Sequence, residues 1–168
     1  MSRASRLTST AVALSLVASG VVVAVGATDE AGAQTPRHKS QGASCAAVTP
    51  ATIQSTLNQT VGKPSVTKGA ATVCTYKVQG GAGTVLVRFQ PGVTKSAFTS
   101  AEKQFSSHGE PTTPVAGLGS AAYSSTIGSG TYTTNTIVVL KGSNQLLVTA
   151  EAPLSSVQAL ATAILPKM

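Results

Sequence analysis

The spacing of apolar positions changes several times along the chain, and each change marks an element. An almost continuous apolar run occupies residues 11–27 (AVALSLVASGVVVAVGA), followed by a polar stretch with no period. From Pro50 onward, Ile53, Leu57 and Val61 recur every four residues, the spacing of one helix face. Val48 sits as an N′ residue, Thr49 as N-cap, and Pro50 at the first helical position, where its missing N–H costs nothing. Gly62 suits a C′ position and Pro64 blocks continuation, so the spacing predicts a helix over 50–61. The period then drops to two. Thr72, Cys74, Tyr76 and Val78 share one face of a strand, and Ala71, Val73, Thr75 and Lys77 take the other. After a glycine-rich turn over 79–83, Val85, Val87 and Phe89 point inward from a second strand, which Pro91-Gly92 ends.

Helical spacing returns over 94–106, where Ala97, Phe98, Ala101 and Phe105 form the apolar stripe and Lys95, Glu102 and Lys103 lie off it. Residues 107–117 are expected to be an irregular connector broken by Gly109, Pro111 and Pro114. Three strands follow: a weak one over 120–127 built on Ala121 and Tyr123, one over 131–140, and one with Leu146, Val148 and Ala150 inward. Gly142-Ser143 is the primed two-residue turn between the last two. A closing helix over 153–165 turns Val157, Leu160, Ala161 and Ile164 to the core. The order α-β-β-α-β-β-β-α predicts one α+β domain over 45–168. Its antiparallel sheet would have about five strands, with about three helices on one face.

The N-terminus changes this picture by adding an export route. Arg3 and Arg6 precede the apolar run, and a small-x-small site at Ala31-Gly32-Ala33 precedes Gln34. The run is short for a membrane span, which favours a signal peptide over 1–33 that is cleaved. Residues 34–44 (QTPRHKSQGAS) are polar and aperiodic and are expected to be a disordered lead-in. The predicted location is secreted or extracytoplasmic, associated with the cell envelope.

Charge narrows the partners. The chain has 12 basic and 5 acidic residues; after residue 33 there remain 10 basic residues against Glu102, Glu110 and Glu151, a net +7. Lysines and arginines are scattered singly along the sequence, without the aromatic-interleaved stripe of a nucleic-acid binder. The excess suits long-range attraction to an anionic envelope polymer or a lipid surface.

The segment Val115-Ala116-Gly117-Leu118-Gly119-Ser120-Ala121-Ala122-Tyr123 resembles the V-x-G-L-G-D-A-A-Y pattern of small actinobacterial exported proteins and lipoproteins grouped as a domain of unknown function. A cysteine ahead of the first helix and the C-x-Y strand Cys74-Thr75-Tyr76 agree with it, as does the closing strand-turn-strand-helix. The resemblance implies an exported or envelope-associated α+β domain and brings no catalytic residues. Two positions depart from the pattern. Ser120 stands where the family often carries an acid, and Cys45 lies 18 residues beyond Ala27, far from where a lipid-bearing cysteine would directly follow the apolar run.

Cys45 and Cys74 are the only cysteines, 29 positions apart, which is neither redox C-x-x-C nor metal-knuckle spacing. Export favours a disulfide over two free thiols or lipidation of Cys45. Catalytic chemistry is poorly supplied. His38 falls in the lead-in, His108 lies on a Gly/Pro-bounded connector near Glu110, and Ser129 lacks the G-x-S-x-G spacing. Three dispersed glutamates do not suggest a glycosidase pair or, with two histidines, a metal site, and no cofactor motif is present. Gly62-Lys63-Pro64 is no phosphate loop, and Gly117-Leu118-Gly119 reads as a strand-entry turn. No enzyme activity is expected. The leading expectation is a non-catalytic exported binding module of unknown ligand. Its candidate surface is the sheet's second face, with Val73, Leu86 and Arg88 and, farther along, Tyr132. The alternative is a secreted protease inhibitor presenting residues 79–83 or 107–114 to a protein partner. A hydrolase using His108 and Glu110 is a remote third.

Overall fold

The computed structural model describes residues 44–81, 83–130 and 132–168, the side chain of Tyr132 excepted. The signal-peptide and lead-in expectations therefore lie outside the described residues, apart from Ser44. A 3-10 turn, Cys45–Ala47, leads into helix α1, Pro50–Leu57. The Thr49 side chain accepts from the Thr52 backbone N–H at 3.1 Å, so the N-cap forms as the sequence predicts. The helix stops one turn early. Asn58 takes the left-handed conformation at φ 54, which asparagine tolerates better than most residues, and its N–H donates to the Gln54 carbonyl. Val61, expected on the helix, is instead buried in an isolated bridge to Val78. Its every-fourth-residue spacing satisfied an extended segment as well as a helix.

Among the described residues, seven strands form one antiparallel sheet: β1 (Ser65–Lys68), β2 (Thr72–Lys77), β3 (Thr84–Pro91), β4 (Thr112–Pro114), β5 (Ala121–Ser129), β6 (Tyr132–Lys141) and β7 (Asn144–Ala150). They lie in the order β1-β2-β3-β7-β6-β5-β4. The expected five strands thus become seven, and both additions are edges. All four residues of β1 are exposed, so no buried alternation marked it. The three-residue β4 ends in Pro114, which an edge strand accommodates.

The helices α2 (Lys95–Ser107) and α3 (Leu154–Ile164) complete the fold. The expected placement of all helices on one face is corrected. On the first face, α1 and α3 cover Cys74, Tyr76, Val85, Val87, Ile137, Val139, Leu146 and Val148, each 0% exposed. Helix α2 packs on the second face, where Phe98 joins Tyr123, Val138 and Leu140, with Phe105 and Leu147 against them. Val138 alternates with Ile137 and Val139, so β6 is covered on both sides. Such a strand carries a near-continuous apolar run, as Ile137-Val138-Val139-Leu140 does.

The Cys45–Cys74 disulfide forms across a Cα–Cα distance of 5.7 Å. The turn it holds is fixed twice more: the buried Tyr76 hydroxyl donates to the Val48 carbonyl at 2.6 Å, and Lys167 Nζ donates to the Ala47 carbonyl at 3.0 Å. Lys141 Nζ donates to the Leu165 carbonyl at 2.6 Å, where a cation suits the end of a helix.

Candidate functional site

Helix α2 covers only the β4–β5–β6 end of the second face. Among the described residues no helix lies over the β1–β2–β3 end. Register brings three of the four predicted surface residues together there: Val73 pairs with Arg88, and Thr75 with Leu86. All four are partly exposed. Leu147 and Thr149 of β7 extend the same rows, pairing with Arg88 and Leu86. Tyr132 does not join them. It pairs with Ser129 at the tip of the β5–β6 hairpin, beyond the last β6–β7 pair at Asn135 and Ala150.

Arg88 occupies the boundary between the covered and uncovered parts. Its Nη2 donates to Gln145 Oε1 at 3.0 Å, and its Nε–H finds no partner among the described residues. In register it shares one row with Val73, Leu147, Val138 and Tyr123. This surface is a mildly apolar, hydroxyl-bearing sheet with one anchored guanidinium. Sequence alternation identified its β2 and β3 residues. Leu147 was missed because its neighbours Leu146 and Val148 carried the inward pattern.

Beneath α2, Tyr123 meets Phe98 and Phe105 at ring-centroid distances of 5.2 and 5.8 Å in tilted and edge-on arrangements. Its hydroxyl is buried and unpartnered among the described residues. Burial and the Glu102 carboxylate push the phenol up to about 12, Arg88 opposes them, and Glu110 adds a smaller push upward. Below pH 10 the hydroxyl is protonated whether the chain is folded or not. Between pH 10 and about 12 the unfolded chain releases a proton that the folded chain keeps, so stability falls as pH rises. Tyr123→Phe is therefore expected to leave stability at pH 7 unchanged or slightly raised, and to flatten the alkaline loss. Denaturant midpoints of both proteins at pH 8 and pH 11 measure this; equal alkaline losses would refute the assignment.

His108 is exposed at the C-cap of α2, where its backbone N–H donates to the Gln104 carbonyl. Ser129 sits at the hairpin end of β5. Among the described residues no three His, Cys, Asp or Glu side chains gather into a metal-binding group. Of the two loops considered for a protease inhibitor, the second is partly taken up by α2 and β4.

The resemblance segment acts as a tight entry to β5. Gly117 and Gly119 have φ 79 and 59, and Ser120 donates both its N–H and its Oγ–H to the Leu140 carbonyl, at 2.7 and 2.9 Å. An ionised acid at position 120 would have no side-chain proton for that second bond. No protein-family model, curated protein or solved structure matches the chain.

Proposed function

We propose that the domain is a non-catalytic binding module of the cell envelope or extracellular space, and that the uncovered end of the second sheet face is its contact surface. The observation that carries this reading is the asymmetry of cover. The same sheet face is buried under α2 at β5–β6 and, among the described residues, carries no helix at β1–β3, where Val73, Leu86 and Arg88 stand side by side and partly exposed. A sheet end that served only the core would alternate apolar-in and polar-out, and here the outward rows keep Val73 and Leu86. The disulfide suits an oxidising compartment, and the net +7 of the chain suits an anionic surrounding. The likeness of residues 115–123 to actinobacterial exported proteins supports the same location.

Retention of the exported protein on cell-wall fractions and anionic liposomes at low salt is the test. Retention is expected, with a loss of about fivefold or more in a Leu86→Thr/Arg88→Gln variant whose thermal unfolding remains cooperative. No retention of the wild type on either material would remove the proposal.

A further inference from the structure

Lysines scattered singly in sequence are not all single in space. Lys63 lies between the Val61–Val78 bridge and the Ser65–Thr75 pair, next to Gly62, whose N–H donates to the Lys77 carbonyl at 3.5 Å. The edge chain spends one more residue than β2 across that interval, the mark of a bulge, and Pro64 falls within it. Both lysines line an open groove of about 390 Å³, with Ser65, Thr75 and Gln79 as its polar lining. Unlike Lys141 and Lys167, whose ammonium groups are tied to backbone carbonyls, Lys63 and Lys77 meet no carboxylate among the described residues. The nearby acid, Glu151, places its carboxylate oxygen 3.3 Å from where a Cβ on Gly83 would stand, a point 3.7 Å from Val78 of the groove wall, and it is not itself part of the lining. Two like charges lining one groove repel each other. An anion between them removes that repulsion.

We infer that this Lys63–Lys77 groove binds a linear, polyhydroxylated polyanion, a chain of sugar or polyol units carrying carboxylate or phosphate. The inference rests on the binding-module reading and names its ligand class. Two ammonium groups supply the charge complement, and the Ser65 and Thr75 hydroxyls and the Gln79 amide match a chain rich in hydroxyls. The groove is concave and no aromatic side chain lines it. Concavity favours a chain over a bilayer, which takes an amphipathic, aromatic-bearing surface. The lack of stacking platforms disfavours single-stranded nucleic acid. The groove adjoins the Val73–Leu86–Arg88 surface through Thr75, which pairs with Leu86, so a chain leaving it has that face to run along.

The full chain is titrated at low salt with polygalacturonate, poly(glycerol phosphate) and neutral dextran, with phosphatidylglycerol vesicles and single-stranded DNA as competing classes. Binding to one or both acidic polymers and none to dextran is expected; which of the two binds separates carboxylate from phosphate. Lys63→Gln/Lys77→Gln should weaken that binding at least tenfold and leave the thermal midpoint unchanged or slightly raised, since it removes two repelling charges. Wild-type affinity in that variant overturns the inference, as does tighter, lysine-dependent binding to vesicles or DNA than to either polymer. Cell-wall retention that survives the lysine changes and is lost in the Leu86/Arg88 variant overturns the groove alone. Absence of all retention removes the underlying reading with it.

Discussion

Removing the Cys45–Cys74 disulfide, by reduction or by a Cys45→Ala/Cys74→Ala variant, is expected to lower stability by about 3.5 kcal/mol, the chain-entropy value for a loop of about 30 residues. For a domain of this size that is a fall in thermal midpoint of roughly 10–20 °C. A single domain has only about 5–15 kcal/mol in hand, so the loss is a large share of the whole. Alanine is the right replacement at position 74, which is 0% exposed, because serine would bury a hydroxyl. The Tyr76 and Lys167 hydrogen bonds to the same turn should keep the reduced protein folded near the native arrangement. Thermal scans with and without reductant, with thiols titrated alongside, measure the effect. Two thiols titrating before reduction, or unchanged midpoints, would contradict it.

Gly119→Ala is expected to cost about 3 kcal/mol, from left-handed backbone strain of about 1–2 and overpacking of about 1–3. At φ 59 an added Cβ would meet the Leu140 carbonyl oxygen and stand 2.7 Å from Val139 Cγ1. That carbonyl cannot yield easily, since Ser120 holds it through two hydrogen bonds and Leu140 is paired in β6. Gly117→Ala is the internal comparison. Its φ is also positive, at 79, but nothing lies within 4 Å of the new Cβ, so it should cost only about 1–2 kcal/mol of backbone strain. Urea unfolding of both variants separates close approach from backbone conformation; equal losses would show that the Leu140 contact does not matter.

The parts of this fold that were legible in the sequence are those whose side chains are sorted by burial. Helix α3 follows its apolar stripe, with Val157, Leu160, Ala161 and Ile164 all buried, and β2 and β3 follow their alternation. Edge strands carry no such sorting: β1 buries nothing, and β4 is three residues long. The face on which α2 packs was written in the chain in a less direct form. Ile137-Val138-Val139-Leu140 is apolar on both alternating sides, whereas β2 sets Val73 and Thr75 against Cys74 and Tyr76. A strand that is apolar on both sides asks for cover on both, and among the described residues α2 was the helix left for the second side. The candidate surface was partly legible for the same reason, since alternation gave Val73, Leu86 and Arg88 a common face. The sharing of one groove by Lys63 and Lys77 was not, because it depends on an edge strand and an extra residue beside it that leave no hydropathic trace.

The strand order divides the sheet into two contiguous stretches of chain, β1–β3 and β4–β7, which touch within the sheet only along the β3–β7 ladder. Both cysteines belong to the first stretch. Synthesis runs from the N-terminus, so Cys45, Cys74 and strands β1 and β2 are made before any of β7 or α3 exists. The residues it joins are thus close in order of synthesis as well as in sequence. The β3–β7 ladder and the α1–α3 contact are the long-range closures left to the finished chain, and they are the slow steps that non-local pairing imposes.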